Sequence, residues 1–299
     1  MTPPLPELPE VETIRRILDE RFRGARLVDL KVRCHRLLRR PETPEAFASA
    51  LVGRTLSGVG RRGKYLLFRW VNEARGDELV LVSHLRMEGR YREASPRDPW
   101  KKHTYLAFFF SDGRVLAYDD VRKFGTFDLL EEDELFFFPP LQKLGPEPFD
   151  PEFTPQILAE RLTRAGRRPL KSALLAQDVV AGLGNIYADE ALFRARLHPL
   201  RPAGSLSSDE VARLWVAVRE VLVAGLAAGG ASVRSYHALE EAGKFQLRLS
   251  VYGREGLSCP VCGTPVRKLR VGGRGTHVCP VCQPLLLSSE VAPGASERG

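Results

Sequence analysis

Residues 174–193 read LLAQDVVAGLGNIYADEALF. Leu174 and Leu175 close one helical stretch, Gly182-Leu183-Gly184-Asn185 is a tight turn, and apolar residues return at helical spacing from Ile186 to Phe193. Two helices joined by a glycine-rich turn make a helix-turn-helix-like element. Most such turns are only structural. Here the backbone N–H groups at the start of the second helix also suit a phosphate. Asn185 adds a side-chain amide at the same place, and Arg167, Arg168 and Lys171 lie just upstream as further phosphate contacts. Helical patterning extends over residues 155–241. Within it, SSDEVARLWVAVREVLVAGLAA (207–228) opens with a capping box from Ser207 to Glu210 and carries an apolar face.

Downstream, Cys259-Pro-Val-Cys262 and Cys279-Pro-Val-Cys282 are separated by sixteen residues. Each pair can wrap one side of a metal, and two pairs complete a tetrahedron of thiolates. Four soft ligands with no open position point to one structural Zn2+ per chain. A thiol redox pair is the rival, and two tandem pairs in so small a unit argue against it. The unit at 242–283 is too short to bury a core without the metal. Between the pairs, VRKLRV alternates like a strand and GGRGT turns, giving a β-hairpin with Arg267, Lys268, Arg270 and Arg274 and no acidic residue. It reads as a phosphate-gripping finger or as a solvated surface hairpin, and the single sign of charge favours the finger. The tail at 284–299 is small, polar and expected to be disordered.

Upstream, residues 139–154 are dense in proline, so neither helix nor strand is expected and a domain linker is placed there. The segment 6–138 opens with a helix over 9–23, where Val11, Ile14, Ile17, Leu18 and Phe22 recur at helical spacing and Gly24 can end the element. From about 25 to 130 the pattern is strands: LVLVSHL, TYLAFFF and RVLAY are short and β-rich, and SDG at 111–113 is a hairpin turn. GRRGK at 60–64 forms a basic loop between strands. The predicted architecture is therefore an α+β multidomain chain: an N-terminal β-sandwich with a leading helix, a helical domain, and a C-terminal β-hairpin zinc finger.

The composition agrees with a multidomain globular protein. The 299 residues are 43% hydrophobic and 27% charged, with 45 basic against 37 acidic residues and a net charge of +8. Nine of the basic residues are lysine and 36 are arginine. Such a surplus suits a polyanionic partner, or merely solubility, and charge alone does not separate the two. No apolar run approaches the ~18 residues of a membrane span, and no signal-peptide pattern opens the chain, so a soluble intracellular protein is expected. The fifth cysteine, Cys34, reads as a small packed residue.

The segment Pro6-Glu7-Leu8-Pro9-Glu10-Val11-Glu12-Thr13, taken with GLGNIYADEALF and the Cys-rich end, closely resembles the formamidopyrimidine-DNA glycosylase and endonuclease VIII family. The likeness runs from Pro6 to about Gln283, and four distinctive motifs agree in order. It implies an N-terminal β-sandwich, a helix-two-turn-helix domain over 155–241 and a zinc finger, with DNA in the cleft between them. It further implies a bifunctional DNA glycosylase/AP lyase of base-excision repair: a bacterial, cytoplasmic and nucleoid-associated protein acting on double-stranded DNA with oxidised bases or abasic sites. A monomer is expected, since the sequence shows no coiled coil or long exposed apolar helix. Pro6 matches the family's nucleophile, a secondary amine that forms a Schiff base with the deoxyribose. Glu7 matches the acid that protonates the sugar ring oxygen, Lys64 the lysine of proton transfer and phosphate contact, and Arg274 the arginine of the second elimination. Met87, Arg122 and Phe124 match three residues that fill the gap left by a flipped base. His84, His103, Lys171 and Asn185 match phosphate contacts, and SVRSYHALEEAGKFQ at 232–246 corresponds to a mobile loop over the damaged base.

The N-terminus departs from the family pattern, because Met-Thr-Pro-Pro-Leu precedes Pro6. An X–Pro amide nitrogen has its lone pair delocalised into the carbonyl and cannot act as this nucleophile. Initiation at the Leu5 codon, removal of the first five residues, or a binding protein that does not cut are the alternatives, and a misplaced start is favoured. Oxidised purines (8-oxoguanine and formamidopyrimidines) are the expected substrates. The competing readings are an endonuclease VIII-like enzyme for oxidised pyrimidines and a non-catalytic damage-binding protein.

Overall fold

The computed structural model describes residues 6–230 and 249–285. The predicted 232–246 loop and nearly all of the tail lie outside the described residues. Helix α1 spans Leu8–Phe22, and Gly24, at φ 80, turns the chain out of it. Its buried stripe of Val11, Ile14, Leu18 and Phe22 packs into the sandwich core, whereas Leu8, one turn earlier, belongs to the core of the helical unit. Each such side chain is worth roughly 1.5–3 kcal/mol of burial. Together they seat α1 firmly in both units, which fixes the position of the Pro6-Glu7 pair just before it.

Two sheets form the sandwich. One has four strands in the order β1 (Leu27–Val32), β7 (Thr104–Phe110), β8 (Val115–Asp119) and β6 (Arg90–Ala94). The other has five: β2 (Leu38–Arg40), β9 (Thr126–Glu131), β5 (Asp77–His84), β4 (Tyr65–Asn72) and β3 (Thr55–Arg62). Only β2 runs parallel to its neighbour. Trp70 of β4 lies between the sheets, near-parallel to Phe108 and Phe110 at 6.4 and 6.3 Å between centroids. The SDG turn joins β7 to β8 as expected, with Gly113 at φ 85.

The strand-only reading of 25–130 needs correction, because α2 (Pro44–Leu51) lies inside it. Its local signals are clear in retrospect: the Thr43 hydroxyl accepts the Ala46 N–H at 3.3 Å, and Pro44 opens the first turn. The proline-dense linker likewise holds one short helix, α3 (Pro139–Gln142). Two prolines at the very start of a helix remove only N–H groups that would have no intrahelical partner.

The helical unit comprises α4 (Pro155–Ala165), α5 (Leu170–Leu175), α6 (Asn185–Arg194) and α7 (Ser208–Ala227). The predicted capping box forms at α7: Ser207 Oγ accepts the Glu210 N–H at 3.3 Å, and Glu210 Oε2 accepts the Ser207 N–H at 2.9 Å. The C-terminal hairpin pairs β10 (Arg267–Val271) with β11 (Arg274–Val278). Its two-residue turn, Gly272-Gly273, has φ of 54 and 78, a conformation that only glycine adopts freely. No helix among the described residues is long and apolar enough to cross a membrane.

Candidate active site and nucleic-acid cleft

The N-terminal segment and the GLGN turn build one unit. Glu7 sits at the N-cap of α1 and is 1% exposed, yet its carboxylate reaches across to the start of α6. Its oxygens accept the N–H groups of Gly184 at 2.7 Å, Ile186 at 2.9 Å and Tyr187 at 3.3 Å. A carboxylate at a helix N-terminus is a favourable pairing of charge and dipole. This corrects the expectation that these N–H groups bind phosphate, since Glu7 occupies them. The two glycines of the turn follow from the same contact. A Cβ on Gly184 would lie 2.2 Å from Glu7 Cδ, and one on Gly182 would lie 2.7 Å from Leu8 Cβ.

Opposing influences set the Glu7 proton. Burial pushes its carboxyl up, Lys64 pulls it down, Glu10 raises it, and the α6 N–H groups lower it; the outcome is about 7. Glu10 is held close because its Oε2 accepts the Glu7 N–H at 2.9 Å and its Oε1 accepts the Tyr187 hydroxyl at 3.0 Å. Lys64 lies in the two-residue β3–β4 turn and donates to the Leu183 carbonyl at 2.7 Å. Burial holds its amine below the ordinary lysine range, with Glu7 and Glu10 opposing that shift and Arg274 reinforcing it.

Arg61 and Arg62, expected in the same basic loop, turn instead toward the linker. Glu147 pairs with Arg61 at 2.8 Å and Arg62 at 3.0 Å and accepts the Gly63 N–H at 2.6 Å. The linker is thereby clamped to the turn that carries Lys64. Nothing in the local pattern of Pro146-Glu147-Pro148 signals this role.

Pro6, Lys64, His84, Met87, Arg122, Phe124 and Arg274 line one cleft of about 1000 Å³ between the sandwich and the rest of the molecule. Arg36, Arg39, Arg86 and Lys123 share its wall and were not singled out from sequence, whereas Glu42 is the one carboxylate on it among the described residues. Cations dominate, which suits a polyanion. Phe124 is 49% exposed rather than core, and the Arg122 guanidinium lies 4.6 Å from its ring centroid.

Two loops present these residues. Met87 follows Arg86, at φ 54, and Phe124 follows Lys123, at φ 56. Left-handed backbone at non-glycine residues costs ~1–3 kcal/mol and persists where surroundings enforce it. His84 Nδ1 accepts the Arg86 N–H at 2.9 Å in the first loop. In the second, the buried Asp120 accepts the N–H groups of Arg122, Phe124 and Gly125 at 3.0, 2.9 and 2.8 Å. His84 is held down to about 3 by burial, with Arg86 and Lys64 adding to the shift. With Nδ1 accepting, its single proton sits on Nε2.

Three sequence-assigned contacts lie off the wall of that cleft. Lys171 is fully buried: its Nζ lies 2.6 Å from Asp189 Oδ1 and donates to Thr276 Oγ1 at 2.8 Å and the Gly275 carbonyl at 3.1 Å. Its expected phosphate contact is therefore corrected to a brace between α5, α6 and β11. Asn185 donates to the same Gly275 carbonyl at 3.0 Å. Asp189 Oδ2 completes the brace by accepting the His277 N–H at 2.9 Å. These bonds hold residues 275–277, and so the adjacent Arg274, against α6. His103 precedes β7, where its carbonyl accepts the Asp120 N–H at 2.9 Å, and its side chain is not on the cleft wall.

The four finger cysteines converge. All their Sγ atoms lie within 4.8 Å of one another, with Cys259–Cys282 at 3.8 Å and Cys262–Cys279 at 3.4 Å. A tetrahedron with Zn–S near 2.3 Å has S–S edges of about 3.8 Å, so the set fits Zn2+. The N–H groups of Val261 and Cys282 point at Cys259 Sγ and Cys279 Sγ at 3.5 and 3.4 Å, as suits thiolates. A bound zinc there is structural. Cys34 is buried, as its packing role predicts.

Comparison with known proteins gives a consistent result. Residues 5–127 match the formamidopyrimidine-DNA glycosylase N-terminal domain, 144–237 its H2TH domain, and 256–285 the zinc finger found in FPG and IleRS. The formamidopyrimidine-DNA glycosylase of Geobacillus kaustophilus is 49% identical over 280 residues, covering 93% of this chain and 100% of that protein. The Exiguobacterium sibiricum enzyme is 47% identical over 283 residues, covering 95% and 100%. Among solved structures, a complex of Lactococcus lactis Fpg with abasic-site DNA superposes with a TM-score of 0.86 at 41% identity, covering 93% of this chain and 99% of that one. A complex of a point mutant of the same Lactococcus lactis protein with Fapy-dG DNA gives 0.85 at 42%, covering 93% and 100%. Three domains matched in order, over nearly the whole length of each relative, place this chain in the formamidopyrimidine-DNA glycosylase family of base-excision-repair enzymes.

Proposed function

We propose that this glycosylase acts on oxidised purines, 8-oxoguanine and formamidopyrimidines, and then cuts the strand through a Schiff base on Pro6. The observation that carries this reading is a pair of chain neighbours: Pro6 on the cleft wall, and next to it in the chain the buried Glu7 carboxyl, raised to about 7. The amine of a free Pro6 attacks the sugar C1′. Glu7 protonates the ring oxygen, the bond to the base breaks, and an iminium joins C1′ to the proline nitrogen. The iminium acidifies the C2′ proton. Its loss expels one flanking phosphate, and a second elimination expels the other. Lys64 suits proton transfer because burial favours its neutral amine. The Arg274 guanidinium supports the leaving phosphate electrostatically. Met87, Arg122 and Phe124 fill the gap left by the extruded nucleotide. His84 offers a phosphate its Nε2–H at every physiological pH. The known complexes of the Lactococcus lactis relative with abasic and Fapy-dG DNA support this substrate class.

The test is borohydride trapping on duplexes carrying 8-oxoguanine, an oxidised pyrimidine or an abasic site, with chain that begins at Pro6. Trapping and cleavage on the 8-oxoguanine duplex are expected. Preference for the pyrimidine lesion overturns the substrate assignment, and tight binding without an adduct overturns the chemistry.

The pH profile is a second expected outcome. Glu7 must be protonated to act as an acid, and its carboxyl is raised from the ordinary 4.5 to about 7. The acid form dominates below that value and is depleted as pH rises through it. Single-turnover base excision should therefore decline above pH 7, by about tenfold per unit well beyond the pKa. Cleavage of a pre-formed abasic site, whose aldehyde needs no ring-oxygen protonation, should lack that decline. Parallel profiles for the two substrates would remove Glu7 from the acid role.

A further inference from the structure

The two loops that carry Met87 and Phe124 meet at one atom. Tyr118 of β8 is fully buried, with its ring edge-on to Tyr91 at 5.2 Å and to Phe127 at 4.8 Å between centroids. Its hydroxyl projects between Gly89, which closes the Met87 loop, and Gly125, which closes the Phe124 loop. A Cβ on Gly89 would lie 2.2 Å from that oxygen, and a Cβ on Gly125 would lie 1.8 Å from it. Neither glycine has a positive φ, so close approach rather than backbone freedom accounts for both: Gly125 to Tyr118, and Gly89 to Tyr118 together with the Leu85 carbonyl, which a Cβ there would meet at 2.5 Å. The hydroxyl also lies 3.5 Å from Asp120 Oδ2, the oxygen that accepts the Phe124 and Gly125 N–H groups. Each loop also holds one non-glycine residue in left-handed backbone, Arg86 in the first and Lys123 in the second, a conformation that persists where the surroundings enforce it.

We propose that Tyr118 is a positioning residue that couples the two loops through its hydroxyl, so that Met87 and the Arg122–Phe124 pair enter the duplex as one rigid wedge. It touches no substrate. Its role is to keep the two inserting groups in fixed register while a paired base is being displaced. This rests on the wedge reading of Met87, Arg122 and Phe124 given above. The coupling matters only when a stacked base must be evicted, because an abasic nucleotide has no base to unstack.

Tyr118→Phe is the test, since it removes the oxygen and keeps the ring. Single-turnover excision of 8-oxoguanine from duplex is expected to fall about tenfold, within the range by which members of one network couple. Borohydride trapping on a pre-formed abasic duplex is expected to stay within about twofold of wild type. In a Met87→Ala background, Tyr118→Phe should cost almost nothing more, because one half of the wedge is already gone. Equal losses on both substrates, or full additivity with Met87→Ala, would show Tyr118 to be ordinary packing and overturn the proposal. Unchanged excision in a folded Tyr118→Phe protein also overturns it. If Gly125→Ala folds, it should reproduce the substrate-selective loss by pushing the hydroxyl away, since its Cβ would meet Tyr118 alone below 3 Å; a folded variant without that loss counts against the coupling. Wild-type enzyme that fails to trap on either duplex refutes the Schiff-base reading instead, which keeps the two failures distinguishable.

Discussion

Protein in which Pro6 remains joined to Leu5 should bind a lesion duplex yet yield no borohydride-trapped adduct, while the same chain beginning at Pro6 is trapped. The expected loss is on the order of 10³–10⁶-fold, the scale seen when an enzyme loses its nucleophile. The reason is electronic. In the peptide the proline nitrogen is a tertiary amide whose lone pair is shared with the carbonyl, and no iminium can form on it. The match to the family's N-terminal domain covers residues 5–127 and so opens one residue before Pro6. The comparison needs two preparations of verified N-terminal mass, one starting at Met1 and one at Pro6. Full trapping by protein that still carries Met1 through Leu5 would reject Pro6. Lys64, the buried amine on the same cleft wall, would then be the next candidate.

Gly184→Ala is the second large effect. The added methyl would sit 2.2 Å from Glu7 Cδ and 2.5 Å from Cγ and Oε1. Neither partner can move away. Glu7 is tied by the N–H groups of Gly184, Ile186 and Tyr187, and α1 behind it is seated in both cores. The substitution therefore displaces the carboxyl, exposes α6 N–H groups without partners and loosens the junction of the two units. Base excision should fall by about 10²–10⁴-fold, the usual contribution of a positioned acid, and the melting temperature should drop. Gly60→Ala in β3 is the control. Its Cβ would meet only Leu67 Cβ at 3.7 Å and Leu67 O at 3.8 Å, ordinary contacts, so activity and melting temperature should change little. Wild-type excision by Gly184→Ala would mean that Glu7 is not held as described.

The two predictions differ in what they draw on. The Pro6 argument needs only a sequence and the chemistry of an amide. The Gly184 argument needs coordinates, because Glu7 and Gly184 are 177 residues apart along the chain. From sequence, GLGN is a turn with N–H groups to offer, and a phosphate is a reasonable recipient. The folded chain supplies its own anion instead. Lys171 shows the same limit. A lysine near a glycine-rich turn reads as a phosphate contact, yet Asp189, Gly275 and Thr276 enclose Lys171 once α6 and β11 come together. The α2 miss is of another kind, since the Thr43-Pro44 start was present in the local pattern and was overridden by the strands around it.

What the amino-acid sequence determined alone was everything carried by local spacing. The thiolate tetrad follows from two Cys-x-x-Cys pairs, the α7 start from Ser207 and Glu210, the hairpin turns from their glycines, and the order of sandwich, helices and finger from a change of period along the chain. Tertiary structure decided what depends on distant groups sharing a low-dielectric space. It set the proton on Glu7 through burial, Lys64 and Glu10, turned Glu147 into a clamp on the Lys64 turn, and brought the Tyr118 hydroxyl between Gly89 and Gly125. Desolvation and close approach are properties of a surrounding, and a chain has no surrounding until its separate stretches pack against one another.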